Sequence, residues 1–280
     1  MTGLAACGGT EPTSSADSNS AAPAGTRSGD SGAVGAGDAA ATTYPLDGAH
    51  AHGLARDPGD GTLYVATHEG LFSYAGGEPE LVGPVIDLMG FAISGPGEFV
   101  ASGHPGADSE LPQPMGLIRS DDAGRSWAVA SRGGESDFHV LTAAASVVFG
   151  YDGALRSSDD GTTWTEATLP EPIADLALSP DGDDLLVTTE SGLQRSTDSG
   201  TTWEPVPDAP LMIYVAWADA QTVVGLGVDD QIMVSDDAGT TFKARGEAPA
   251  QQVVAFSAAV QGETLEALVA LEDTVLVIPL

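Results

Sequence analysis

Short apolar runs, each about five residues long, recur along most of the chain and are cut by glycine, aspartate and proline. Leu185-Leu-Val-Thr-Thr189, Thr222-Val-Val-Gly-Leu226 and Leu63-Tyr-Val-Ala-Thr67 read as strands that alternate apolar side chains. Ala174-Asp-Leu-Ala-Leu178, Tyr214-Val-Ala-Trp217 and Val253-Val-Ala-Phe256 lie upstream of similar runs and read as further strands. The local composition is strand and turn, never helix.

Four segments superimpose without gaps. They are Ser120-Asp-Asp-Ala-Gly-Arg-Ser-Trp127, Ser157-Ser-Asp-Asp-Gly-Thr-Thr-Trp164, Ser196-Thr-Asp-Ser-Gly-Thr-Thr-Trp203 and Ser235-Asp-Asp-Ala-Gly-Thr-Thr-Phe242. All read Ser-x-Asp-x-Gly-x-[Ser/Thr]-[Trp/Phe], and their aromatic ends lie 37, 39 and 39 residues apart. A period of this size in a strand-and-turn chain points to a propeller. The Asp accepts amide hydrogens inside a hairpin turn, the Gly takes positive φ, and the aromatic begins the next strand and packs between blades. Asp122, Asp159, Asp198 and Asp237 are therefore read as structural.

This motif resembles the Asp-box, or BNR repeat, of sialidases, sortilin-like receptors, xyloglucan-degrading enzymes and photosystem II assembly factors. The resemblance covers about residues 42–280 and implies an all-β, six-bladed β-propeller with Asp-box hairpins on the face away from the ligand site. Four blades carry the box. A first blade begins at His52-Gly-Leu-Ala, and a last one comprises Val253-Val-Ala-Phe, Leu265 to Leu271 and Thr274 to Ile278. The last blade runs out of chain after three strands, so Thr42-Thr-Tyr-Pro-Leu46 is expected to supply its outer strand and close the ring.

Composition changes the picture ahead of residue 42. Residues 8–41 are Gly, Ala, Ser, Thr, Asp and Pro with almost no large apolar side chain, which predicts a disordered tether. Cys7, the single cysteine, excludes an internal disulfide. It closes Leu4-Ala-Ala-Cys7, which resembles the lipobox of bacterial lipoproteins and implies lipidation of Cys7, with residues 1–7 as the remnant of a signal. Only Met1, Thr2 and Gly3 precede the box, so either the leader starts upstream or the match is coincidental. The expectation is an extracytoplasmic, monomeric domain that meets a membrane only through an N-terminal lipid. No apolar run approaches the length of a membrane-spanning helix. The balance of 41 acidic and 9 basic residues, a net charge of −32, argues against nucleic acid as a partner.

The candidate chemistry lies in the first half of the domain, which holds all five histidines. Aligning blades sets His52, Met89, His139, Asp175 and Tyr214 at one position near the start of the innermost strands, with His50, Asp87 and Asp137 two residues earlier. His68 and His104 fall at the ends of second strands, which open on the same face. The expected ligand-binding set is thus His50, His52, His68, Asp87, Met89, His104, Asp137 and His139 at one mouth of the central channel. Imidazoles with neighbouring carboxylates suit zinc or copper, and His50, His52, His104 and His139 are the expected metal ligands. The bland alternative is a polar mouth whose histidines only bind carboxylates and water. The insertion Gly103 to Pro114 in blade two sits on the same face.

Two further functions stay open. Chains with His-x-His-Gly-Leu and Gly-His-Pro that resemble this one are labelled glycosyl hydrolases or exo-sialidases, and Glu69, Asp87 and Asp137 are the candidate catalytic carboxylates. Against a sialidase, Arg119, Arg156 and Arg195 each stand one residue before a serine of the four-fold motif, as a repeated structural position would, and Arg-Ile-Pro is absent. The third function is recognition of an envelope protein or glycan, as in sortilin-like receptors and photosystem II assembly factors.

Overall fold

The computed structural model describes residues 40–169 and 171–280. Cys7 and nearly all of the 8–41 segment lie outside the described residues. Among the described residues the secondary structure is strand throughout, arranged as six four-stranded antiparallel sheets: a six-bladed β-propeller.

Blade one comprises Ala51–Arg56, Leu63–Thr67, Gly70–Ser73 and Glu80–Val82. Blades two to five follow at 87–131, 140–166, 173–205 and 212–247. Blade six takes Ala255–Gln261, Thr264–Ala270 and Thr274–Pro279, and its outermost strand is Thr42–Pro45. That strand pairs antiparallel with the chain's last strand, Thr42 opposite Val277 and Pro45 opposite Thr274, so the ring closes as the sequence predicts. Pro45 ends a strand that lies on the rim, where a missing amide hydrogen costs little.

Six apolar clusters fill the six junctions between blades. Strand alternation explains their make-up. Leu63 and Val65 face blade six, whereas Tyr64 and Ala66 face blade two. A second strand is therefore buried on both faces, which is why Leu63–Thr67, Leu185–Thr189 and Val223–Gly227 are buried along their whole length.

The repeated hairpins behave as their spacing predicts, with one correction. Asp122 accepts hydrogen bonds from the Ser126 amide (2.9 Å), the Ser126 hydroxyl (2.6 Å) and the Ser120 hydroxyl (2.8 Å). These donors, the Ser126 hydroxyl foremost, hold its carboxyl down to about 2. Asp198 and Asp237 make the same contacts with Thr202 and Thr241. In each of these hairpins two successive residues have positive φ, as in Ala123 (58°) and Gly124 (84°).

Blade three differs. Asp160, not Asp159, receives the Thr162 and Thr163 amides, both at 2.7 Å, and Asp159 is exposed. Strand pairing shows why. Ser158 stands opposite Val148 as Ser120 stands opposite Phe99, so this turn has one residue fewer between Asp and Gly. Correspondingly, its positive φ is confined to Gly161 (69°). The arginines three or four residues before these aspartates belong to the scaffold: Arg156 pairs with Asp152 and Glu166, and Arg195 with Asp184.

Candidate functional site

Innermost strands begin, and second strands end, at one mouth of the channel. In blade two the pairing sets Asp87 opposite His104 at this mouth and Phe99 opposite Ser120 at the other end. Five residues of strand, roughly 17 Å, separate the hairpin carboxylates from the mouth. Gly103 permits the close approach of the two strands here. Its φ is +143°, and a Cβ would lie 2.1 Å from the Asp87 carbonyl oxygen.

All five histidines and two aspartates meet in one continuous arc over blades one to three. His52 Nε2 lies 3.0 Å from His68 Nε2, and His68 Nδ1 lies 2.7 Å from Asp87 Oδ1. The other oxygen of Asp87 lies 3.2 Å from His104 Nδ1. His104 Nε2 then stands 3.3 Å from Asp137 Oδ2, which is 2.9 Å from His139 Nε2. His50 stacks on His68 with centroids 5.6 Å apart, and it meets His52 edge-on at 5.0 Å.

Hydrogen placement follows from the acceptors. A carboxylate only accepts, so His68 Nδ1 carries the hydrogen that Asp87 receives. The 3.0 Å contact between the two Nε2 atoms needs one hydrogen, carried by one ring and accepted by the lone pair of the other. Burial, helped by the neighbouring His68 and His50, lowers the pKa of His52 to about 4, so this imidazole is neutral at ordinary pH.

Ligand atoms of His52, His68 and Asp87 all lie within 4.8 Å of one another, the spacing of a possible metal site. The 3.0 Å between the two Nε2 atoms is near the roughly 3.3 Å edge of a zinc tetrahedron with nitrogen ligands. Asp87 holding His68 by Nδ1 is the carboxylate–imidazole arrangement that fixes the tautomer of a metal-binding histidine.

The grouping differs from the expected ligand set of His50, His52, His104 and His139. His68, at the end of a second strand, stands between blades one and two and takes the place next to His52. His104 and His139 converge on Asp137 instead, and His50 contributes a ring face. Met89 lines the channel with His52 and His139. Glu69 is exposed beside His68, outside the arc.

A second difference concerns Asp175 and Tyr214. Bulges at His52 and Met89 in blades one and two, and at Ala174 and Ile213 in blades four and five, set those four residues level. Asp175 and Tyr214 lie one residue deeper. Single-residue bulges carry no signal in an apolar run, and blind alignment slips by one at each. Asp175 lines the channel and accepts a hydrogen bond from the Val215 amide at 3.0 Å, linking blades four and five. Burial pushes its carboxyl up to about 7. A lone carboxylate within Ala174-Asp-Leu-Ala-Leu178 was the signal for such a group.

The channel has a cavity of about 640 Å³ lined by the innermost strands of all six blades. A second cleft, of about 600 Å³, adjoins the channel at His139 and Val140 and is lined by Asp137, Pro114, Glu135, Tyr151, Asp152 and Ile173. Pro114 brings the end of the blade-two insertion to this cleft.

No protein-family model matches the chain, and no curated protein matches it. Solved propellers do. YCF48 bound to D1 peptide superimposes with a TM-score of 0.58 at 14% identity, over 85% of this chain and 94% of that one. A gluconolactonase of Xanthomonas campestris gives 0.61 at 14% identity, over 83% and 86%. The GH74 enzyme of Niastella koreensis gives 0.55 at 14% identity, over 79% of this chain but 41% of that enzyme. At such identities the likeness shows the fold alone.

Proposed function

We propose that this propeller binds a transition-metal ion, zinc or copper, at the mouth of its channel, through His52 and His68 with Asp87 holding His68 in place. The domain would work outside the cytoplasm, held to a membrane by a lipid on Cys7 through the 8–41 tether. The observation that carries the reading is the 3.0 Å approach of two imidazole nitrogens, one of them on a ring kept neutral by its surroundings. Neutral nitrogen is what zinc and copper require. The same geometry weighs against glycoside hydrolysis by Glu69, Asp87 and Asp137. Asp87 and Asp137 are each engaged by two imidazoles, and Glu69 stands apart.

A second reading, recognition of an envelope protein, is favoured by blade five. Leu211, Ile213 and Val228 are exposed at its mouth end, and the Val228 amide donates to the Leu211 carbonyl. YCF48, a neighbour of the same fold, binds a peptide.

Chelator-stripped protein titrated with zinc or copper in high salt tests the first reading, because salt screens adventitious cation collection by a −32 surface. A bound ion that calcium and magnesium do not displace is expected. His52→Ala with His68→Ala should abolish binding at this site, and Asp87→Asn should weaken it by about 10–100-fold. If the double variant binds as the parent does, or the parent binds no metal in high salt, the reading is wrong.

A further inference from the structure

We propose that the channel binds a small organic ammonium ion, held against the carboxylate of Asp175. The position lies below the mouth and uses none of the imidazoles there, so it stands apart from the metal reading.

Asp175 owes its place to the bulge at Ala174. At the same level, one residue below the bulge, stand Gly53, Gly90 and Tyr214 in blades one, two and five. Groups at this level reach toward the next innermost strand. The Tyr214 hydroxyl donates to the Val253 carbonyl at 3.0 Å, and Asp175 Oδ2 accepts from the Val215 amide at 3.0 Å. Between blades two and three that gap is shut, since a Cβ on Gly90 would lie 2.3 Å from the Phe138 carbonyl oxygen. Between blades four and five it admits a carboxyl group that also lines the channel.

Blade packing does not call for a charge here. An asparagine oxygen would accept from Val215 as well, yet the buried group is a carboxyl, and no cationic side chain acts on it. The other charged groups at the blade-one wall of the channel are engaged. Arg56 pairs with Glu266 at 2.6 Å, and the two oxygens of Asp57 take the Gly59 and Gly97 amides. Asp175 has backbone amides alone, and burial drives it toward its neutral form. A buried carboxylate without a counter-ion is costly, and a cation brought from solution removes that cost.

The surroundings suit an organic cation over a metal ion. Among the described residues Asp175 belongs to no cluster of metal-ligand atoms, and one carboxylate is too few donors for zinc or calcium. The Tyr214 ring comes next round the channel wall and stacks on Phe256 of blade six, with centroids 6.0 Å apart. Met89 and Phe91 line the wall in blade two. Aromatic faces beside a single carboxylate recognise an ammonium group carrying an apolar body. The cavity of about 640 Å³ holds such a molecule whole.

Benzylammonium and its neutral counterpart, benzyl alcohol, are titrated calorimetrically into the full chain at pH 8, in high salt with chelator present. The parent should bind the ammonium about tenfold or more tightly than the alcohol. Asp175→Asn keeps the Val215 bond and a cooperative melting transition, and it should bind the two probes alike. At pH 5.5 the carboxyl of the parent is protonated, so benzylammonium should bind about tenfold or more weakly while benzyl alcohol is unaffected. The other titratable groups facing the channel are His52 and His139 at the mouth, Arg56 and Asp57 at the far end, and Tyr214 beside Asp175. Measuring Asp175→Asn at both pH values removes their contribution. Equal affinity of the parent for the two probes, an unchanged benzylammonium affinity in Asp175→Asn, or no binding of benzylammonium overturns the site. Because chelator is present throughout, none of these outcomes bears on the ion at the mouth.

Discussion

Asp175→Asn should remove a pH-dependent weakness of the fold. The carboxyl sits at the junction of blades four and five, its pKa raised by burial to about 7, against an ordinary unfolded value of about 3.9. Because the folded pKa is the higher one, the folded chain holds this proton after the unfolded chain has lost it. Stability contributed by the group is therefore complete below about pH 4, declines as pH rises through about 7, and is flat above that. The difference of about three pH units corresponds to a ceiling of about 4 kcal/mol. Asp175 is only partly shielded from the channel, and its Val215 amide bond strengthens on ionisation, so about 2 kcal/mol is the expected size. Asparagine keeps an oxygen for the Val215 amide and carries no charge at any pH. Urea unfolding of parent and variant from pH 4.5 to 8.5 should show the variant gaining on the parent by about 2 kcal/mol across that range. Taking the difference between the two proteins at each pH cancels the titration of the other acidic groups, which both share. If the difference is the same at pH 5 and pH 8, the carboxyl is hydrated or ionised in the fold, and burial at this junction has been misjudged.

Trp164→Ala should cost about 3 kcal/mol. The ring is half-buried, stacks on Phe138 at 5.0 Å and donates from Nε1 to Ser131 at 2.8 Å, and a calorimetric loss below about 1 kcal/mol would show that it does not pack between blades two and three. In the blade-three hairpin, Asp160→Ala should lower the Tm while Asp159→Ala leaves it unchanged; the opposite ranking would restore the ungapped alignment of the four repeats.

The blade count and the closure of the ring were legible because each rests on many residues. A 37- to 39-residue period, repeated aromatic ends and apolar second strands all agree, and a last blade of three strands demands a fourth from elsewhere. Errors arose where one residue decides. Ser157-Ser-Asp-Asp160 contains two serines and two aspartates, so two alignments satisfy the motif, and only the pairing of Ser158 with Val148 selects between them. The bulges at Ala174 and Ile213 likewise shift Asp175 and Tyr214 by one position without altering the pattern of apolar residues. Convergence of the histidines on one mouth was readable from strand direction. Which atoms meet was not, because His68 and His104 reach across from second strands to residues of the next blade.

The two kinds of aspartate in this chain show how a repeat separates scaffold from chemistry. A side chain demanded by the hairpin recurs wherever the hairpin recurs, as Asp122, Asp160, Asp198 and Asp237 do, together with the arginines near them. The mouth repeats its backbone but not its side chains. Level with His52, Met89 and His139 stand Ala174 and Ile213 in blades four and five, and the second strand of blade five leads into the exposed Val228 where those of blades one and two lead into His68 and His104. No requirement of blade packing distinguishes the first three blades from the others at these positions, since alanine and isoleucine serve there equally well. Five imidazoles and two carboxylates confined to one half of a six-fold backbone therefore answer to something other than the fold. Blade five presents the exposed Leu211, Ile213 and Val228 at the same opening, so an ion held on blades one to three would share the mouth with an apolar patch suited to the organic part of a ligand or to a protein side chain. The metal reading and the recognition reading thus concern two sides of one opening, and a variant in blade five, such as Ile213→Asp, acts on one side without touching the donors of the other.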